Sequence, residues 1–289
     1  MARREARLVE NVPGEFFVDD TCIDCDLCRQ IAPETFTQSG RSLSYVHAQP
    51  AAAEARHRAL MALVTCPTAS IGTESHLDAR AAAAAFPERI ADDVYFCGFA
   101  SERSYGASSY LIVRAPGNVL VDSPRANAPL QASIAAMGGV SSLFLTHADD
   151  VADHRRWRER FGCRRVMHRA DLSGGTRDVE HVLEGESPVP LADDLLAVPV
   201  PGHTAGSVAL LYRKTFLFTG DHLWWSPTYG RLHASRNVCW YSWPEQVRSV
   251  ERLLDLEFEW VLPGHGRRHR AVSAEAMRRD LESALAAIR

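Results

Sequence analysis

From Val94 onward, short apolar runs alternate with polar clusters rich in glycine, histidine and aspartate. Residues 109–113 and 119–122 flank Ala115-Pro116-Gly117-Asn118, a turn sequence that predicts a hairpin. A helix over 130–137 closes at Gly138-Gly139, and an apolar strand over 142–146 follows it. A helix over 153–161 then closes at Gly162, ahead of a short strand at 165–168. The second half repeats the theme, with strands at 195–200, 208–212, 216–219 and 259–262, the middle two forming a hairpin. Ser242-Trp243-Pro244-Glu245 reads as a capping box that opens a helix over 245–254.

The N-terminal part is patterned differently. Residues 1–73 form a small unit with one clear helix, over 51–63, between two cysteine-bearing segments. Residues 74–92 are Ala-rich and end at Phe86-Pro87, the composition of a helical spacer, so the expected division is 1–73, a linker over 74–92, and a second domain over 93–289. The expected fold class is α+β.

Composition narrows the setting. A net charge of -4 gives no footprint for nucleic acid, and no basic block marks a membrane surface. The N-terminus lacks the apolar core of a secretory signal, and no run approaches the length of a membrane helix. Seven cysteines, four of them in a cluster-ligand pattern, point to a reducing cytoplasm. Cys97, Cys163 and Cys239 read as buried free thiols.

Two groups of residues carry candidate chemistry. Cys22-Ile23-Asp24-Cys25-Asp26-Leu27-Cys28, with Cys66-Pro67 far downstream, matches the spacing of iron-sulfur ligands; zinc sites more often pair two C-x-x-C arms. Thr146-His147-Ala148-Asp149-Asp150-Val151-Ala152-Asp153-His154 sits at the C-terminal end of a predicted strand, where α/β sheets place their sites. Its imidazoles and carboxylates suit zinc, iron or manganese, and alone it reads equally well as a solvated acidic turn. Further strands end at Gly202-His203-Thr204-Ala205-Gly206-Ser207, Thr219-Gly220-Asp221 and Pro263-Gly264-His265-Gly266. Glycine beside each ligand-type residue lets the backbone bend sharply there. His222 reads as a hydrogen-bonding neighbour of Asp221. The aromatic run Trp224-Trp225 and Trp240-Tyr241-Ser242-Trp243 reads either as a wall or docking face at the site or as core packing.

The first segment resembles single-cluster bacterial ferredoxins from Thr21 to Phe36 and again over Cys66-Pro67-Thr68-Ala69-Ser70-Ile71. That resemblance implies a 4Fe-4S cluster held by Cys22, Cys25, Cys28 and Cys66. The second segment resembles the metallo-β-lactamase superfamily through its three later motifs, which implies an αββα sandwich holding two metal ions. His147, Asp149 and His203 would hold one metal, and Asp153, His154 and His265 the other, with Asp221 bridging. The family's H-x-H-x-D-H motif is matched here only with a two-residue insertion and with Asp149 in place of the second histidine. Asp150 is the alternative ligand at that position and the candidate catalytic residue. A carboxylate there makes the site harder and better suited to iron, with zinc or manganese as alternatives.

The expected function is a redox enzyme in which the cluster passes electrons to a diiron site, acting on a small-molecule substrate with a reductase or other electron donor as partner, and with no nucleic-acid or membrane partner. The alternative is a metal-dependent hydrolase of an ester, thioester, lactone or phosphoester whose cluster is structural or sensory. A third reading is an electron carrier or sensor.

Overall fold

The computed structural model describes residues 2–40 and 42–289. The chain folds into two compact units, Met1–Pro116 with Pro124–Gly139, and Gly117–Ser123 with Val140–Arg289.

In the first unit, strands Phe16–Val18 and Ile71–Thr73 pair antiparallel, with Val18 opposite Ile71. This pairing matters for chemistry. Cys22 follows the first strand and Cys66 precedes the last, so their alignment brings the two cysteine segments together across more than forty residues of chain. Helices Leu27–Ile31 and Ala53–Thr65 fill the interval, with a small antiparallel pair, Phe36–Gln38 and Ser44–Val46. The Ala-rich segment expected as a linker is built into this unit. It contributes the helix Arg80–Ala84 and the strand Glu88–Ala91, which pairs with Val94–Phe96, itself paired with Tyr110–Ile112. Phe86 is buried there, edge-on to Phe96 and Phe99 at 5.9 and 5.6 Å.

The second unit contains a parallel array in which Val119–Val121, Ser142–Phe144, Arg164–His168 and His181–Leu183 follow one another side by side. Helix His154–Phe161 crosses between two of these strands and buries Trp157 completely; Gly162 ends it in the left-handed conformation, as its sequence suggested. A six-stranded sheet follows, in the order Val189–Ala192, Leu195–Pro199, Val208–Tyr212, Phe216–Gly220, Trp260–Pro263, His269–Arg270. All its neighbours are antiparallel except Phe216–Gly220 with Trp260–Pro263. Helices Trp243–Arg252 and Ala274–Ile288 cover one face through Leu217, Val250, Leu253, Met277 and Leu281. Val208–Tyr212 and Phe216–Gly220 are buried at every position, so both faces of the sheet are covered. Ser242 caps the helix that follows the aromatic run, its hydroxyl accepting from the Glu245 N–H at 3.4 Å. No helix among the described residues is long and apolar enough to cross a membrane.

One buried cation ties the parallel array together. Arg165 is almost wholly buried, and its guanidinium donates to Glu180 Oε2 at 3.1 Å and Oε1 at 2.9 Å. Glu180 also accepts from Arg158 Nε at 2.6 Å. Burial would raise the Glu180 pKa, but these arginines outweigh it and hold the group at about 2, below its ordinary 4.5. A depressed acid stabilises the fold fully above its unfolded pKa and loses that contribution as pH falls through the folded one. Glu180→Gln should therefore destabilise the protein by about 1–3 kcal/mol at neutral pH. Denaturant midpoints measured from pH 7 down to about 2 check this: the gap between variant and parent should close between about 4.5 and about 2.

Candidate metal centre

Four strand ends deliver the centre's side chains. His147, Asp149 and Asp150 follow Ser142–Phe144; His203 follows Leu195–Pro199; Asp221 follows Phe216–Gly220; His265 follows Trp260–Pro263. Ligand-type atoms of His147, Asp149 and His203 lie within 4.8 Å of one another, as do those of His147, Asp150 and Asp221. Asp221 Oδ2 is the meeting point, 3.7 Å from His147 Nε2, 3.8 Å from His203 Nε2 and 3.7 Å from His265 Nε2. Those separations are too long for hydrogen bonds and suit atoms that share an ion.

Unsatisfied atoms in the same place test the fit. His147 Nε2, both carboxylate oxygens of Asp150 and Asp221 Oδ1 are buried with no hydrogen-bond partner among the described residues. Buried polar atoms are normally paired, so four orphans facing one point match a site built for cations. Electrostatics agree. Burial pushes Asp150 well above the ordinary carboxylate range, and Asp221, Asp122 and Asp149 add to the effect. His147 is pushed down, chiefly by burial. Burial also opposes charge on His203, but its bond to Asp149 and the nearby Asp221 prevail and raise it.

Outer contacts orient the imidazoles. Thr146 donates its hydroxyl to Asp122 at 3.0 Å, and the same oxygen lies 2.9 Å from His147 Nδ1. With its own proton committed to the carboxylate, the hydroxyl accepts from His147 Nδ1–H, which leaves the Nε2 lone pair facing the centre. His203 Nδ1 bonds the Val238 carbonyl, with the same consequence for its Nε2. Burial, with Asp221 nearby, pushes Asp122 up to about 7 against the opposing bonds from Thr146. Asp171 ties two ligand loops together, accepting from Ala148 N at 2.9 Å, Thr204 Oγ1 at 2.6 Å and Gly206 N at 2.7 Å. Gly264 is required by space: a Cβ there would sit 2.7 Å from Asp221 Oδ1 and 2.8 Å from Asp150 Oδ2.

The structure departs from the expected ligand set at Asp153 and His154. Asp153 occupies a left-handed position just before the helix and lies 3.8 Å from Arg156. The His154 ring is engaged elsewhere: Arg165 Nη1 lies 3.1 Å from its Nδ1, and the Gly175 backbone also bonds it. An imidazole clasped by a buried guanidinium has no lone pair to offer a metal, and burial and Arg165 together lower its pKa. Asp150, read as an alternative ligand and catalytic candidate, is the acid that reaches the centre. The first motif thus brings one imidazole and two carboxylates, His147, Asp149 and Asp150, to the centre. His222 is fully buried and held neutral, its pKa lowered to about 3 chiefly by burial, and its ring nitrogens do not bond Asp221. Sequence reasoning missed Asp122, Asp171 and Trp240. The aromatic run divides: Trp225 and Trp243 pack against the core, whereas Trp240 is exposed and donates its indole N–H to Asp149 Oδ2 at 3.1 Å.

In the first unit, Cys22, Cys25, Cys28 and Cys66 line one cavity with Val18, Leu27 and Ser44. Asp24 and Asp26 adopt left-handed backbone, φ 58° and 64°, which coils the loop around that cavity. Gly106 covers it; a Cβ there would come within 3.2 Å of Cys25 Sγ. Ser70 N donates to Cys66 Sγ at 3.3 Å, and Arg125 Nη2 donates to the carbonyls of Val64 and Cys66 at 2.7 and 3.3 Å. Burial pushes the Cys28 thiol up to about 12 and raises Cys25 as well, with the neighbouring cysteines adding to it. Four sulfurs crowded in an apolar cavity fit an inorganic cluster that supplies the compensating positive charge.

Residues 18–73 match the family of the 4Fe-4S single cluster domain of ferredoxin I. The chain is 35% identical over 131 residues to the hydroxyacylglutathione hydrolase of Anaeromyxobacter dehalogenans (strain 2CP-C), across 43% of this chain and 49% of that protein. It therefore spans about half the length of this curated relative. Among solved structures it resembles the DIM-1 metallo-β-lactamase, with 15% identity and a TM-score of 0.51 over 68% of this chain and 95% of the other. It also resembles a metallo-β-lactamase from Hirschia baltica, with 16% identity and a TM-score of 0.50 over 67% and 95%. At these identities the likeness is one of fold.

The two histidines of the first motif should behave differently. Asp150→Asn should lose a metal ion outright, and Thr146→Val should weaken binding about 10–100-fold. His154→Gln should leave metal content unchanged. Metal-to-protein ratios and competition with a chromophoric chelator distinguish these outcomes; metal loss in the His154 variant at unchanged helix content would return His154 to the ligand set.

Proposed function

We propose that this metallo-β-lactamase-fold protein with a ferredoxin-type 4Fe-4S domain is a redox enzyme, in which the cluster passes single electrons to a dinuclear iron centre. The observation that carries the reading is the donor set, His147, His203 and His265 with Asp149, Asp150 and Asp221. Three carboxylates make an oxygen-rich centre, which suits iron or manganese better than an imidazole-dominated one. Metal ions held here would supply Lewis acidity and, as iron, one-electron oxidation and reduction.

The chain's own residues do the rest. His147, Asp149 and His203 would hold one metal ion, and Asp150 and Asp221, beside His147, a second. Asp122, through Thr146, keeps the His147 proton on Nδ1 as the charge of the centre changes. Trp240 fixes the exposed Asp149 carboxylate and sets an aromatic surface at the mouth, next to His203, its ring 6.0 Å from the imidazole. The substrate is a small molecule entering at that mouth, and electrons come from a reductase or other one-electron donor.

A hydrolase is the second reading, favoured by the identity to a protein named hydroxyacylglutathione hydrolase. In that case metal ions held by the same donors would supply the Lewis acidity for hydrolysis of an ester or thioester, and the cluster would be structural or sensory.

Protein purified anaerobically, with and without the substitution Cys66→Ser, separates the two. The redox reading expects iron to persist in the second domain after the cluster is lost, with an EPR signal that changes on one-electron reduction. Zinc filling the centre, together with thioester turnover that survives loss of the cluster, would sink the redox reading and favour the hydrolase.

A further inference from the structure

The ligand frame of the cluster is completed from outside the ferredoxin-like segment, which ends at residue 73. Arg125, well downstream of it, reaches the Cys66 end of that frame. Its Nη2 donates to the Val64 carbonyl at 2.7 Å and to the Cys66 carbonyl at 3.3 Å. Arg125, Val64 and Cys66 all belong to the first unit, and the Arg125 N–H is itself tied to the Phe99 carbonyl at 2.9 Å. The clamp thus comes from a segment that neither the cysteine spacing nor the ferredoxin resemblance includes.

The local chain explains why a cation belongs there. Helix Ala53–Thr65 ends at Cys66, whose N–H makes the last helical bond, to the Ala62 carbonyl. The next residue is Pro67, which has no N–H and cannot continue the ladder, so the carbonyls at this end lack their helical donors. A helix also concentrates partial negative charge at its C-terminus. Here that end coincides with a cluster ligand. Four thiolates make a 4Fe-4S cluster anionic, and an electron taken up adds to that charge. The negative helix end opposes the addition, whereas a guanidinium laid across the same carbonyls favours it. On the Cys25 side the packing is tight: a Cβ on the buried Gly106 would lie 2.7 Å from Cys25 Cβ and 3.1 Å from Pro67 Cγ. Protein packed this closely screens less than water does, so a charge fixed at Cys66 is felt at the sulfurs.

We propose that Arg125 is a positioning residue of the cluster, clamping the Cys66 end of its ligand frame and, through its charge, favouring the reduced state. The proposal rests on the 4Fe-4S reading and holds whichever chemistry the second domain performs. One electron arrives from an external one-electron donor, no bond forms or breaks, and no proton is taken up. The charge of Arg125 is constant throughout, since a guanidinium does not deprotonate in proteins. It therefore stabilises the more negative, reduced cluster over the oxidised one.

The test is an anaerobic redox titration of the full-length protein with dithionite and mediators, followed by the cluster's EPR signal. Arg125→Gln keeps an amide donor for the carbonyls but no charge, and should lower the potential so that the reduced-to-oxidised ratio at a fixed poise falls about tenfold, equivalent to ~59 mV for one electron. Arg125→Lys keeps the charge and should hold the parental potential. Arg56→Gln removes an exposed cation near the start of the same helix and should change nothing. An intact cluster at unchanged potential in Arg125→Gln, or an equal fall in Arg125→Lys or Arg56→Gln, overturns the proposal. Should Arg125→Gln fail to retain the cluster, Arg125→Lys carries the test: a cluster kept at the parental potential supports the role of charge, and a cluster lost there too overturns it. Parent protein that binds no cluster at all would instead overturn the 4Fe-4S reading itself.

Discussion

Three carboxylates held close together, two of them largely away from water, are the constraint around which the second unit is arranged. Asp149, Asp150 and Asp221 face one point together with three imidazoles, and a fourth acid, Asp122, lies directly behind. Like charges at such separations repel by several kcal/mol at the dielectric of a protein surface, and by more when buried. Burial first, and that repulsion after it, raise Asp150 and Asp122. Positive metal ions reverse its sign, and much of the local structure then becomes intelligible as the means of holding the acids in place. Gly264 leaves room for two of them, Asp171 binds the loops that carry His147 and His203, and Thr146 relays Asp122 to an imidazole.

The first unit meets the same difficulty with a different remedy. Four cysteine sulfurs converge in an apolar cavity, and burial holds at least two of them far from the thiolate form that a cluster requires. Iron supplies the balancing charge there. The acids of the ligand loop are neutralised by protein instead, through Arg29. A buried ion pair of this kind adds little stability over apolar packing. Its value lies in fixing the conformation of a loop whose backbone is left-handed at two non-glycine positions.

Much of this was legible in the chain, because the informative signals are local. C-x-x-C-x-x-C followed by Cys-Pro, and Gly-His, Gly-Asp and Gly-His again at strand ends, place the donors and the flexible backbone side by side. Where two local readings competed, the sequence could not decide. Asp150 read only as the alternative to Asp149 while Asp153 and His154 were assigned to the second metal, and the deciding contact comes from Arg165 on another strand, which occupies His154. Asp122 had a visible signal, an acid ending an apolar run as the other ligands do, but its φ of 57° and its bond to Thr146 appear only in three dimensions. Trp240 had none, since its partner Asp149 is ninety-one residues away. The Ala-rich stretch read as a spacer because its helix is short and weakly apolar; the strand after it becomes visible only through pairing with Val94–Phe96.

Replacing Asp153 and His154 with Asp150 changes more than one label. The ligand set loses one imidazole and one acid and gains one acid, ending with equal numbers of imidazoles and carboxylates around two metal positions. Each carboxylate contributes a full negative charge that an imidazole does not, and negative charge favours the higher oxidation states of a redox metal. An iron centre so surrounded is easier to oxidise and harder to reduce, and it needs a donor of low potential to return it to the reduced state. The acid-rich motif and the fused cluster domain thus both accord with the redox enzyme proposed above.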